Sequence, residues 1–205
     1  PCIRTGAPVA VGNISELACA LDCHAMAEIR ECIPLHNDYA VSALVNSGAC
    51  GVWLNSELTL TEIAHIAENA SVPVGYLVSG RIRTMTSEHC VLMTTGKCIH
   101  DCDTCKLRQE PHYLRGIDND YLPVTDTQGR SRIWAPQPFD AVPELDVLLA
   151  HGVTRLMVDA TLLTKEQTEC AIARVASAVA AVKQGRALPG RLEGATQGHL
   201  FSPIG

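Results

Sequence analysis

Residues 51–80, "GVWLNSELTLTEIAHIAENASVPVGYLVSG", decide the fold class, because two short apolar runs enclose a segment with helical spacing. The runs "GVWLN" and "VPVGYLVSG" are apolar and partly β-branched, as buried strands are. Between them Leu60, Ile63, Ile66 and Ala67 recur at the spacing of one helical face. A strand, a helix and a strand in this order predict a βαβ unit of a mostly parallel sheet.

The same alternation extends to both sides of this stretch. The predicted strands are "APVAVGN", "CIPLHN", "RIWAPQ" and "TRLMVDATLL", and the predicted helices are "SELACALDCHAMAEI", "DYAVSALVNSG", "DAVPELDVLLAHG" and "TKEQTECAIARVASAVAAVKQG". About six units, against eight in a complete barrel, predict an α/β fold that is a partial or irregular (β/α) TIM-type barrel. We expect the barrel-like domain over residues 1–185, with an inserted Cys-rich loop at 88–108, an irregular segment at 106–131 and a Gly/Pro-rich arm at 186–205.

Composition restricts the classes of function. The chain has 205 residues with a formal net charge of -6, which argues against a wholly electropositive nucleic-acid surface. No apolar run has the length of a membrane span. Six scattered cysteines suit a reducing, cytoplasmic environment. Since the chain begins Pro1-Cys2-Ile3, without an initiator Met or a leader, we interpret it as a fragment or a processed product.

Four further cysteines are concentrated in "EHCVLMTTGKCIHDCDTC", residues 88–105. Their spacing is Cys90-x7-Cys98-x3-Cys102-x2-Cys105, and the intervening segments are short enough to fold back as loops. Four thiolates can enclose a tetrahedral Zn²⁺ or ligate a [4Fe-4S] cluster, and the spacing favours neither. The alternatives are two disulfides or unligated thiols, which are uncommon for cysteines this dense in a reducing compartment. The group also follows a predicted strand, at the face where barrel enzymes place their chemistry.

Several segments together resemble the collagenase-like peptidase family U32. These are the block from "HNDYAVSALVNSGACGVWLN" to "SEHC", then "GKC", "CDTCKLR", "GRSRI", "HGVTRLMVDATLLTKEQ" and the closing "GATQGHLF". The resemblance implies a barrel that carries a [4Fe-4S] cluster on four cysteines, with oxygen-independent hydroxylation of ubiquinone precursors, tRNA or ribosomal RNA as the activity. It therefore favours the cluster over zinc. Family members often draw one ligand from a distant segment, so Cys32 or Cys50 is the alternative to Cys98.

Polar residues at predicted strand ends are the next candidates, because barrels present catalytic groups there. Possible catalytic residues are His36, Glu57 and His89, the last of which adjoins Cys90. Possible substrate-binding residues are Asn37, Asn55, Arg130, Arg132 and Asp159, the arginines as anchors for an anionic group. The alternative reading is that the Asn and acidic residues cap helices and that the arginines form a solvated face.

Three functions remain open at this point. The preferred hypothesis is an iron-sulfur enzyme of the hydroxylation kind, acting on RNA or on a small anionic or aromatic substrate. The second is a metal-dependent peptidase, although no G-x-S-x-G or H-E-x-x-H motif is present. The third is a zinc-stabilised, non-catalytic module of a larger enzyme. The partners we expect are an anionic small molecule, RNA or peptide, no membrane, and either a missing amino-terminal part of the barrel or a second subunit.

Overall fold

A computed structural model describes residues 5–117, 121–127 and 130–203, so the initial Pro1-Cys2-Ile3 lies outside the described residues. The chain divides into two compact units. The first, here the parallel-sheet unit, comprises Pro1–Gly80 and Phe139–Gly205, and the second, here the cysteine unit, comprises Arg81–Pro138. The four clustered cysteines therefore belong to one small unit.

Strands and helices alternate through most of the parallel-sheet unit. Its strands are β1 (Val9–Val11), β2 (Ala27–Ile29), β3 (Gly51–Trp53), β4 (Val74–Gly80), β9 (Phe139–Asp140) and β10 (Val153–Val158). Its helices are α1 (Ile14–Asp22), α2 (Asp38–Asn46), α3 (Leu60–Asn69), α5 (Leu145–Ala150), α6 (Lys165–Lys183) and the 3-10 helix Val142–Glu144. In the cysteine unit the strands are β5 (Arg83–Ser87), β6 (His112–Arg115), β7 (Tyr121–Thr127) and β8 (Arg130–Trp134), with helix α4 (Val91–Thr94) and the 3-10 helix Leu107–Gln109.

The parallel sheet has the strand order β1-β2-β3-β4-β10, and β9 pairs antiparallel with β4. Alternate positions face opposite sides of the sheet. Ile29, Val52 and Val74 are almost completely buried, while their neighbours Glu28 and Trp53 remain half-buried. Full burial of an aliphatic side chain contributes about 1.5–3 kcal/mol, so this apolar side is the main stabilising core. The other side, here the polar face, carries charged and aromatic groups.

Capping residues set where the main helices begin. Asn37 is the N-cap of α2, and its side chain accepts the Ala40 N–H at 2.9 Å. Thr59 caps α3 in a capping box with Glu62, and Thr164 caps α6 in a box with Gln167. Each box satisfies two N–H groups that the helix leaves without partners.

The mixed α/β class with a parallel sheet is confirmed, and no closed barrel occurs among the described residues. Two assignments near the amino terminus are wrong. The predicted helix "SELACALDCHAMAEI" ends at Asp22, because His24 adopts a left-handed conformation (φ 56°), and Ala27–Ile29 forms β2 instead. The segment "CIPLHN" contains no strand, and its apolar signal reflects Leu35, which is buried outside the sheet.

The cysteine unit contains an antiparallel sheet of order β5-β8-β7-β6. Strands β6 and β7 and the start of β8 lie in 106–131, which differs from the expectation of an irregular segment. The polar residues there are compatible with strands because an antiparallel sheet can expose one face to water. Among the described residues, none of the helices in either unit has the length and apolar character needed to cross a bilayer.

Candidate functional site

The polar face of the parallel sheet carries a hydrogen-bonded group of three side chains, here the Glu28 group. Glu28 lies on β2, Trp53 on β3 and Arg155 on β10. Trp53 Nε1 donates to Glu28 Oε2 at 3.0 Å, and Arg155 Nη1 donates to Glu28 Oε1. The side chains of Glu28 and Arg155 are 27% and 36% exposed. The carboxylate is therefore held from two sides, while both charged groups still reach solvent.

Two glycines make room for the Glu28 group. Gly75 on β4 is the register partner of Trp53, and a Cβ at Gly75 would lie 2.4, 2.6 and 2.7 Å from three adjacent ring atoms of Trp53. Near-equal distances to neighbouring ring atoms mean that the indole lays its face, rather than its edge, on Gly75. A Cβ at Gly51 would lie 3.0 Å from Arg155 Nη1 and 3.3 Å from Glu28 Cγ. Larger residues at these positions would force the three side chains off the sheet.

His36 and Glu57, both predicted as catalytic, lie close together. His36 Nε2 is 3.5 Å from Glu57 Oε2, and the two side chains are 48% and 49% exposed. His36 lies in the loop before α2, whereas Glu57 lies in the turn after β3, where its N–H donates to Asn55 Oδ1 at 2.8 Å. An imidazole beside a carboxylate is an arrangement suited to proton transfer.

The same region contains a second carboxylate, Glu62 in the first turn of α3. Hydrogen bonds from the Thr59 backbone N–H and hydroxyl hold the pKa of Glu62 below its ordinary value, and the charge of His36 adds a smaller lowering. Glu62 is thus committed to the capping box. Glu57 is not the cap of α3, so the capping alternative does not account for it.

The other predicted strand-end residues have structural partners. Asn37 caps α2, and Asn55 Nδ2 donates to the Glu31 carbonyl at 3.4 Å. Asp159 Oδ1 accepts the Thr161 N–H at 2.8 Å and the Thr161 hydroxyl at 2.5 Å. These contacts fix turns, and a substrate contact by any of the three residues stays a prediction.

The four clustered cysteines occupy the segment between β5 and β6 of the cysteine unit. Cys90 is buried just before α4, Cys98 and Cys105 are half-buried, and Cys102 is exposed. Among the described residues, none of the four is joined in a disulfide, so the disulfide alternative finds no support. The Cys98 sulfur accepts the His100 N–H at 3.4 Å, and His100 adopts a left-handed conformation (φ 57°).

Asp101 organises the turn at residues 102–104, which contains Cys102 and leads into Cys105. Its Oδ1 accepts the Asp103 N–H at 3.1 Å and the Thr104 N–H at 3.4 Å, and its Oδ2 accepts the Thr104 hydroxyl at 2.7 Å. The Thr104 hydroxyl, followed by the two backbone N–H groups, holds the pKa of Asp101 below its ordinary value. The turn of the CxxC segment is thus held by its own side chains.

The basic candidate residues near this segment differ in their exposure and in their hydrogen-bond partners. Arg130 Nε donates to Glu88 Oε2 at 2.7 Å, so an anionic substrate would compete with that carboxylate. Arg132 is half-buried on β8, and His89 is exposed, with its backbone N–H bound to Ser87 Oγ at 3.2 Å. Arg108, just beyond the CxxC turn, has a buried Nη1 that finds no hydrogen-bond partner among the residues that the structure describes.

The cysteine segment has the donor atoms of a four-thiolate site, but the positions of its side chains do not form one. Four reduced thiols within sixteen residues are a suitable donor set for zinc or an iron-sulfur cluster. Among the residues that the structure describes, however, no three His, Cys, Asp or Glu side chains are grouped closely enough to hold a metal ion. The four sulfurs would converge only if this segment rearranged.

Sequence reasoning missed the Glu28 group. Glu28 falls within the predicted helix "SELACALDCHAMAEI", and Arg155 falls within the predicted strand "TRLMVDATLL" without being a candidate site residue. The available signal was a charged residue between Ala27 and Ile29, two apolar residues whose period-2 spacing marks a strand. The glycines at 51 and 75 were a further signal, since glycine inside a strand often marks a close approach.

Comparison with known proteins gives one match. Residues 8–195 match the sequence model described as Peptidase family U32. No curated protein and no solved structure matches the chain significantly.

Proposed function

Because the chain belongs to Peptidase family U32, we propose that it is an iron-sulfur protein that holds a [4Fe-4S] cluster through Cys90, Cys98, Cys102 and Cys105. The proposed activity is oxygen-independent hydroxylation of RNA or of a small anionic or aromatic substrate in the cytoplasm. When bound, such a cluster supplies one-electron transfer. The observation that carries the proposal is the concentration of four cysteines, none joined in a disulfide within the described residues, in one segment of a small unit.

Two neighbouring features support this ligand set. The Asp101 turn holds Cys102 and Cys105 in a short CxxC segment, which is a common way to supply two ligands. The Cys98 sulfur already accepts a backbone N–H, and such hydrogen bonds stabilise a thiolate. In the proposed roles, Arg132 anchors an anionic substrate, with Arg130 available after release from Glu88, and His89 donates a hydrogen bond near Cys90.

Anaerobic purification followed by iron, sulfide and zinc analysis tests the proposal. We expect about four iron and four sulfide per chain, with a brown absorption that Cys98→Ser abolishes. The matched control is Cys170→Ser, since Cys170 is an exposed free thiol outside the segment. Retention of the cluster in Cys98→Ser and its loss in Cys32→Ser or Cys50→Ser would reassign the fourth ligand. Stoichiometric zinc without iron would overturn the cluster and favour the zinc-stabilised module.

A second candidate function is peptide hydrolysis, favoured by the 3.5 Å separation of His36 and Glu57. In that reaction Glu57 would take a proton from the attacking water, and His36 would orient the carboxylate. Peptide cleavage that survives Cys90→Ser but falls at least about a hundredfold in Glu57→Gln would support it. Cleavage that is unchanged in both Glu57→Gln and His36→Ala would exclude this pair as the catalytic machinery.

A further inference from the structure

The Glu28 group has the properties of a binding site that neither the family match nor the proposed cluster accounts for. It consists of an ion pair and an indole on one face of a parallel sheet, and the charged side chains are partly exposed. The pair lies beside an aromatic ring, on strands whose opposite face forms the core.

The first property is an unused edge of the Arg155 guanidinium. A guanidinium carries five N–H donors, and Arg155 uses Nη1 for Glu28. Within the described part of the chain, Nε and Nη2 of Arg155 have no protein acceptor. That edge is a two-pronged donor that matches the two oxygens of a carboxylate.

The second property is the placement of the half-buried Trp53 indole. One face of the ring lies on Gly75, so the other face points away from β4. Hydrogen bonding from Nε1 to Glu28 fixes the rotation of the ring. Because Gly75 is the register partner of both Trp53 and Arg155, the ring and the guanidinium flank the same glycine. A planar ligand stacked on the indole would therefore reach the arginine with a substituent.

We propose that the Glu28 group binds a planar aromatic ring that bears a carboxylate, with the ring on Trp53 and the carboxylate on Arg155. Glu28 positions both residues and limits the affinity, because its own negative charge opposes an anionic ligand. The proposal goes beyond the iron-sulfur function and is independent of it, since all three residues belong to the parallel-sheet unit. If the cysteines bind no cluster, the proposed ligand site is unaffected, and if the Glu28 group binds no ligand, the proposed cluster is unaffected.

The test is a titration of the full chain with benzoate, followed through the fluorescence of Trp53. The chain has two tryptophans, so Trp134→Phe in the cysteine unit leaves Trp53 as the single indole. We expect saturable quenching by benzoate. Binding of cyclohexanecarboxylate, which lacks the planar ring, and of benzamide, which lacks the charge, should be weaker by about tenfold or more. Calorimetry on the unmodified chain repeats the measurement without the tryptophan substitution.

Substitutions of the two ion-pair residues should change the affinity for benzoate in opposite directions. Arg155→Met should weaken benzoate binding at least tenfold, whereas Glu28→Gln should strengthen it by about threefold, because a repelling charge is removed and Trp53 keeps its acceptor. Arg155→Lys keeps the charge without the fork and should give an intermediate loss. Arg186→Met is the matched control, since Arg186 is exposed after α6, and it should leave binding unchanged.

Two results would overturn the proposal. One is the absence of saturable benzoate binding by both fluorescence and calorimetry. The other is weakening by Glu28→Gln to the same extent as by Arg155→Met, which would mean that the ion pair only maintains the sheet. Circular dichroism of each variant distinguishes a folded protein from an unfolded one, and Glu28→Gln decides the outcome if Arg155→Met fails to fold.

Discussion

The two units of the molecule differ in what stabilises them. The parallel-sheet unit buries long aliphatic and aromatic side chains, including Tyr76, Phe139 and Ile66. In the cysteine unit, the described buried apolar side chains are Cys90, Leu92, Pro123, Val124 and Trp134. Large apolar residues such as Met85, Tyr113 and Ile117 are exposed there. Small units with few buried apolar groups usually depend on a metal or a cross-link, which is the physical reason to expect ligation by the four cysteines.

Ionic interactions follow the same contrast. Asp140 on β9 is completely buried, and Arg174 of α6 binds both of its oxygens at 2.8 and 2.9 Å. In the cysteine unit the Arg130–Glu88 pair has side chains that are 59% and 74% exposed. Exposed pairs contribute little, whereas a broken buried pair leaves an uncompensated charge. Breaking a buried ion pair of the parallel-sheet unit should therefore cost more stability than breaking an exposed pair.

The largest effect should come from Asp140→Asn. It removes the charge that Arg174 binds, so we expect a loss of about 3 kcal/mol in the free energy of unfolding. Urea titration followed by circular dichroism measures it. The control is Lys165→Met, because Lys165 Nζ lies 3.9 Å from Glu169 on the exposed surface of α6, and the expected loss is below about 0.5 kcal/mol. Equal losses in the two variants would contradict the assigned difference between buried and exposed pairs.

The next effect concerns packing on the polar face of the parallel sheet. Gly75→Ala places a methyl group 2.4 Å from the Trp53 ring, so the indole must move, at a cost of about 2 kcal/mol. Thermal unfolding measures the loss, and the emission maximum of Trp53, read in a Trp134→Phe background, reports the displacement. Gly190→Ala is the control, because a Cβ at Gly190 meets nothing within 4 Å. Loss of stability without a change in Trp53 emission would mean that the indole is not the obstacle.

Within the cysteine unit, Ser131→Ala should have a local effect. Ser131 is completely buried, and its Oγ accepts the Val91 N–H at 3.0 Å at the start of α4. An unsatisfied N–H costs about 1–2 kcal/mol, so the unit should open more often. We expect faster proteolysis within residues 81–138 and unchanged hydrogen exchange in the strands of the parallel-sheet unit. Faster exchange in both units would show that they unfold together.

The smallest effect should come from Thr59→Ala, which removes the capping box of α3. We expect the free energy of unfolding to fall by about 1 kcal/mol. Because the box lowers the pKa of Glu62, its contribution is present above the ordinary carboxyl pKa and is lost as the pH falls through the lowered value. The stability gap between wild type and Thr59→Ala should therefore narrow in acid, as urea titrations at several pH values would measure. In a Glu62→Gln background this narrowing should disappear, and a persistent narrowing would place the titrating group elsewhere.

Sequence reasoning predicted elements well where a repeating apolar pattern and a cap agreed. Helix α6 begins after Thr164, and the strand–helix–strand unit of residues 51–80 is present. Sequence reasoning failed where a single residue's backbone conformation ended one element and allowed the next to form. The left-handed His24 ends α1 and lets β2 pair with β1, and no local pattern signals that conformation. It also failed for β6 and β7, which show no clear apolar alternation and are stabilised as strands by antiparallel pairing with neighbouring strands.

The candidate site divides in the same way. The sequence alone determined the clustering of four cysteines and the family, and it predicted His36 and Glu57 as candidates, because each depends on residue type and local spacing. Tertiary structure alone decided that His36 lies beside Glu57, and that Glu28, Trp53 and Arg155 form one group around Gly75. The physical reason is that parallel strands are joined by long crossovers, so their register brings together side chains that no local pattern links.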